Sequence, residues 1–190
     1  MAYWELKKDT LRGKWNKILF SITCIWALMI LSGPLMLEAG ETGDLSGSVG
    51  LYDNKEVIEG MNPIAKMVYY LGDVNCHQLS HRSYEYNNNQ MPFCARDVGI
   101  FVGLAFGFVF ALGRKVELTL PIVILCLIPI GLDGTIQLVT EYESTNPRRV
   151  ITGLIAGAAT GISLKIIADS LDRNYSSHFN SVSQNGQFGD

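Results

Sequence analysis

Four apolar blocks decide what this chain can fold into. They run over residues 18–37, 98–112, 118–140 and 150–168. The first and third match the roughly 20 residues that carry a helix across a bilayer core. Charged residues make up only 17% of the 190, against about a quarter in a soluble domain. The blocks account for that deficit and for a mean hydropathy of +0.19. The expected fold class is all-α, an integral membrane bundle of four transmembrane helices. A net charge of -3, with no basic patch interleaved with aromatics, argues against a nucleic-acid partner.

Polar segments separate the blocks. Residues 1–17 carry Lys7, Lys8, Arg12, Lys14 and Lys17 beside Trp4 and Trp15, which reads as a basic cytoplasmic anchor. Residues 18–171 form the membrane domain, with an outer loop over 38–97. Within that loop, 38–60 is rich in Gly, Asp, Glu and Ser and reads as irregular. Asn62 and Pro63 then start a short surface helix over 61–72. Residues 172–190 have few apolar side chains and read as a disordered tail. The Lys/Arg balance places both termini in the cytoplasm of a cell-membrane protein. Residues 76–97 and 141–149 then lie outside.

Glycines recur every four residues in two blocks: Gly99, Gly103 and Gly107, then Gly153, Gly157 and Gly161. Each set forms one helix face on which another backbone can close in. The two faces are expected to pair, and they also offer a homo-oligomer surface. Membrane lipid is the other expected partner.

The chemistry collects in Cys76 to Asp97. Thiols, imidazoles, guanidiniums and a carboxylate stand there just before an apolar run, where each is costly unless it pairs, binds or stays wet. Zinc, or another divalent transition metal, accepts Cys, His and Asp together. Cys76, His77, Cys94 and Asp97 are the candidate ligands. A Cys76–Cys94 disulfide is the alternative in an oxidising compartment, and it requires no cofactor. The adjacency of Cys76 and His77 strains the metal reading, whereas the disulfide leaves His77 and Asp97 unexplained.

Asp133 and Gln137 share a helix face. Asp133 sits about 10 Å below the outer surface at 1.5 Å per residue. It requires a partner at that depth, and Arg96 or Arg149 is the expected one. Asn146 and Pro147 are placed to open the last helix. An enzyme acting on a lipid head-group phosphate would hold the anion with Arg82, Arg96, Gln137, Asn146 and Arg149. Its acid/base candidates are Asp133 and His77. A regulatory or structural membrane protein with a metal or disulfide clasp is the first reading, and the enzyme is the alternative.

Several motifs occur in order: Cys76-His77-Gln78, Arg82-Ser83, Cys94-Ala95-Arg96 with Gly99, Asp133-Gly134 with Gln137, and Glu143-Ser144-Thr145-Asn146 with Arg149, Thr152 and Gly153. Over about residues 60–168 the chain resembles the membrane-protein family catalogued as domain of unknown function 2085. The resemblance implies a small helical membrane protein and no activity. Asp97 stands where the family often has a further cysteine, which keeps a ligand in place and tips the clasp toward metal. Tyr142 stands where it often has arginine. His81 lies outside the family pattern and is the second-choice ligand. The Asp-Gly-x-x-Gln helix is also similar, at the level of fold, to VanZ-like membrane proteins.

Overall fold

A computed structural model describes residues 13–112, 114 and 116–185, with side chains to residue 175. The basic cluster of residues 1–12 lies outside the described residues. The chain is mostly helical. Helix α1 spans Lys14–Ser32 and tightens into a 3-10 turn at Gly33–Met36. The loop over residues 38–97 holds α2 (Lys55–Gly60), α3 (Pro63–Asn75), a 3-10 turn at Ser80–Arg82, and strands β1 (Glu85–Tyr86) and β2 (Asn89–Gln90). Helices α4 (Ala95–Ala111), α5 (Leu120–Val139) and α6 (Asn146–Asn185) follow.

Among the described residues, three segments are long and apolar enough to cross a membrane: Lys14–Met36, Leu120–Val139 and Asn146–Tyr175. Helix α4 has 17 residues, about 26 Å at 1.5 Å each.

The two glycine faces meet. A methyl group on Gly107 would lie 2.1 Å from the Ala158 carbonyl oxygen, and one on Gly157 would lie 2.1 Å from that of Ile100. Helices α4 and α6 therefore touch backbone to backbone along parallel axes, with α5 returning between them. These faces are in contact with each other within the chain. Helix α1 packs antiparallel to α4: Phe20 meets Phe108, while Trp26 meets Phe101 and Phe93 edge-on.

This loop is a packed cap, which corrects the irregular reading of residues 38–60. Residues Lys55–Gly60 are helical, and Leu45 and Ile58 are buried with Leu37, Met61, Ala65 and Tyr69. Asn62 caps α3 by accepting from Ala65 N at 3.0 Å, with Pro63 in its first turn. Helix α3 buries Val68 into one apolar cluster and Ala65 and Tyr69 into another, so it is far more than a helix lying on the surface. Asn87 and Asn88 take φ of 56° and 55° between the paired Tyr86 and Asn89. Asparagine suits that left-handed pair, the type I′ geometry of a tight hairpin. The hairpin delivers Asn89 and Gln90 into the cap, where both are buried and bond to backbone of the loop. Asn89 accepts from Thr42 N at 2.9 Å and donates to Glu38 O at 2.7 Å. Gln90 donates to Gln78 O at 2.5 Å.

Helix α6 runs on to Asn185, where the sequence reading expects a disordered tail from residue 172. Part of that extension is anchored. The Asp172 carboxylate accepts from Trp15 N at 2.9 Å and Asn16 N at 3.1 Å, capping α1 from another helix. Gly13 permits the approach, since a methyl group there would lie 1.7 Å from Asp172 Oδ2.

Candidate functional site

The site is assembled where the cap meets α4, α5 and α6. Cys76 ends α3 and Cys94 stands at the N-cap of α4, with Asp97 in its first turn. The two sulfurs and a carboxylate oxygen of Asp97 lie within 4.8 Å of one another. Cys94 Sγ is 3.3 Å from Asp97 Oδ2. Both cysteines are free thiols. Hydrogen bonding with Cys76 holds the Cys94 thiol below its ordinary range. The same contact, together with burial, pushes Cys76 up. A helix N-terminus favours negative charge at Cys94 as well. The arrangement is two sulfurs with a neighbouring carboxylate, residue types that metal ions accept as ligands.

His77 does not join this group. Its Nδ1 lies 3.1 Å from Gly47 O, because consecutive side chains in extended backbone point apart. His81 is also elsewhere, with Nε2 2.9 Å from Glu143 Oε1. Of the four residues expected from sequence, Cys76, Cys94 and Asp97 converge and His77 does not. His77 keeps a place on the wall of an adjoining cavity of about 190 Å³, which Cys76, Gln78, Arg82, Cys94, Arg96, Asp97 and Arg149 also line.

The anion-binding candidates split by what already holds them. Arg96 pairs with Asp133, as the depth argument requires. Gln137 Nε2 steadies the same carboxylate at 3.0 Å. Asp133 is therefore committed to Arg96 and Gln137 and does not line the cavity. Arg149 is only 2% exposed and donates to Gln137 Oε1 at 2.9 Å, Asn146 Oδ1 at 3.1 Å and Glu143 Oε1 at 3.2 Å. A guanidinium buried this deeply must be paired and hydrogen-bonded. Asn146 begins α6 but gives its amide oxygen to Arg149. Arg82 Nε reaches Glu143 Oε1 at 2.8 Å, and this contact leads those that hold Glu143 below the usual carboxylate range. Glu143 thus closes the loop after α5 against the 3-10 turn of the cap.

Gln78 carried no role in the sequence reading. It is fully buried, at 0% exposed, with a φ of 45°, a conformation that non-glycine residues adopt at a cost. Its Nε2 donates to Pro92 O at 2.6 Å. Gly72 makes room for that contact, since a methyl group there would lie 2.8 Å from Nε2. Its place after Cys76-His77 in the motif was the only signal available from sequence.

The family model described as "Predicted membrane protein (DUF2085)" matches residues 76–163. An uncharacterized protein of Methanocaldococcus jannaschii, MJ1492, is 36% identical over 99 residues, which is 50% of this chain and 64% of that protein. The chain thus spans less than two thirds of that relative's length. An uncharacterized protein of Methanothermobacter thermautotrophicus is 34% identical over 95 residues, 48% of this chain and 86% of that protein. No solved structure matches the chain, and none of these findings supports the likeness to VanZ-like proteins.

Proposed function

The chain belongs to the DUF2085 family of predicted membrane proteins, and from that premise we propose a four-span protein of the cell membrane that binds a divalent transition metal at its outer face. The ligands are Cys76, Cys94 and Asp97. The observation that carries this reading is the convergence of their ligand atoms within 4.8 Å. Two sulfurs and a carboxylate suit zinc by ligand type.

Parity supports four spans. Asp172 touches Trp15 and Asn16, so the end of α6 lies beside the start of α1. Three crossings would put those ends on opposite sides, and a fourth traverse by α4 would bring them together. The parallel packing of α4 on α6 requires α5 to return between them, which gives the same order. The termini are assigned to the cytoplasm by the basic N-terminal segment. A cysteine at Glu56, exposed on the cap, should react with an impermeant thiol reagent in intact cells, while one at Ser177 stays unlabelled. The reverse pattern would invert the orientation.

Protein purified without chelator should carry about one zinc per chain. Cys94→Ser and Asp97→Ala should lose the metal, and His77→Ala should keep it. A chain with four cysteines should also show all four as thiols once denatured and stripped of metal. Two thiols and no zinc would replace the metal by a disulfide. A second reading, an enzyme acting on a lipid head group, draws on the three-ligand set opening onto an arginine-lined cavity. Sites with three protein ligands keep a position for water or substrate. When bound, the metal would supply Lewis-acid polarisation there.

A further inference from the structure

We propose that a second cavity, at the end of the bundle away from the cap, binds a phosphate group, and that its walls fit a phosphate carried by a membrane lipid. This site is separate from the metal reading and does not rest on it.

The cavity holds about 380 Å³, inside the range of about 300–1,000 Å³ usual for small-molecule sites. It lies between the last turn of α4, residues that follow that turn, and the second half of α6. Five charged side chains line it: Arg114, Lys165 and Arg173 against Glu117 and Asp169. Lys165 is only 5% exposed, and its ammonium donates to Asp169 Oδ2 at 2.6 Å. Asp169 Oδ1 accepts from the Asn16 amide at 2.9 Å, so both carboxylate oxygens are taken. These two charges cancel inside the wall.

The two arginines are different. Both are exposed, and among the described residues neither is paired with a carboxylate. Arg114 donates to Phe110 O at 2.8 Å and stacks 4.1 Å from the centre of the Phe110 ring. Arg173 donates to Ser170 Oγ at 3.0 Å. A guanidinium has five N–H donors, so each keeps several to give, on accessible surface. Glu117 alone opposes them, and the wall carries one positive charge net. A phosphodiester brings one negative charge and an unesterified oxygen for each guanidinium.

Depth and the rest of the wall point to a lipid. At 1.5 Å per residue, α6 covers about 28 Å from Asn146 to Lys165 and about 40 Å from Asn146 to Arg173. The hydrocarbon core is about 30 Å thick. A helix that enters it near Asn146 brings Lys165 to the far edge and leaves Arg173 just past it, among the head groups. Phosphate is the anion that phospholipids place at that level. Ala111, Val116 and Ile166 supply the apolar part of the wall, which suits the start of an acyl chain and which a free ion does not use. Basic pockets between spanning helices bind anionic head groups in this way.

The test uses the full chain in detergent, freed of lipid, titrated calorimetrically with short-chain phosphatidylglycerol and separately with inorganic phosphate. Saturable binding of the lipid alone assigns the head group, and equal or tighter binding of inorganic phosphate assigns the free ion. Arg114→Gln and Arg173→Gln change exposed positions. Each should weaken binding about tenfold, the scale of one hydrogen bond to a charged group, with the folded fraction by size exclusion unchanged. Lys66→Gln removes the same charge from the cap and should bind as the parent does. A chain that binds neither probe, arginine variants that bind as the parent does, or an equal loss in Lys66→Gln overturns the site. Each of those results leaves the metal reading standing, since zinc content is measured separately.

Discussion

Replacing Asp133 by alanine should destabilise the bundle by about 3–5 kcal/mol, the cost of leaving one member of a buried ion pair alone. Arg96 would keep its charge among apolar helices, and Gln137 would lose its bond to the carboxylate. Asp133→Asn should cost less, because an amide oxygen can still accept from Arg96. The paired change Arg96→Met with Asp133→Leu should recover most of the loss, since an apolar pair of similar volume commonly replaces a buried ion pair without penalty. Thermal unfolding in detergent, read as the folded fraction by size exclusion, orders the four proteins. Equal stability of the parent and Asp133→Ala would mean that the pair holds nothing together.

The second large effect lies at the glycine seam. Gly157→Val should prevent α4 and α6 from closing. Its Cβ would stand 2.1 Å from the Ile100 carbonyl oxygen, while ordinary contact begins at 3.4 Å. Backbone has no rotamer to yield, so the helices must part by more than an ångström along their whole contact. Overpacking a flexible core costs about 1–3 kcal/mol, and here the loss should exceed that range and appear as failure to fold. Gly131→Ala on α5 is the matched control. Nothing lies within 4 Å of its Cβ, so it should be neutral or more stable by up to about 1 kcal/mol through helix propensity. A folded, monodisperse Gly157→Val protein would show that the seam tolerates separation.

These features were legible in the sequence because they follow from period and depth. Glycine every four residues marks a face whatever else the chain does. A carboxylate within an apolar block needs a cation, and few were on offer. The cap was harder. Its order comes from side chains bonding to distant backbone, such as Asn89 to Thr42 and Gln90 to Gln78, and no local pattern announces such pairs. Polar composition between residues 38 and 60 suggested solvent, yet Thr42 and Leu45 are buried there and the Asn54 amide bonds to Asp73 and to Leu45 O. The direction of His77 depended on the extended backbone at Cys76, which motif spacing does not carry. The extension of α6 depended on Asp172 finding α1, a contact between opposite ends of the chain.

That last contact sets an order of assembly. Gly13, at the N-cap of α1, has no side chain to cap the helix, and Trp15 N and Asn16 N receive Asp172 instead. The ribosome makes Asp172 more than 150 residues after Trp15. The first helix is therefore made with its N-terminal end unfinished, and the last helix to emerge completes it. Release of the chain before residue 172 would leave a bundle whose cap is fully synthesised but whose opposite end stays open. Quality control that samples exposed helix ends would then distinguish truncated from full-length chains.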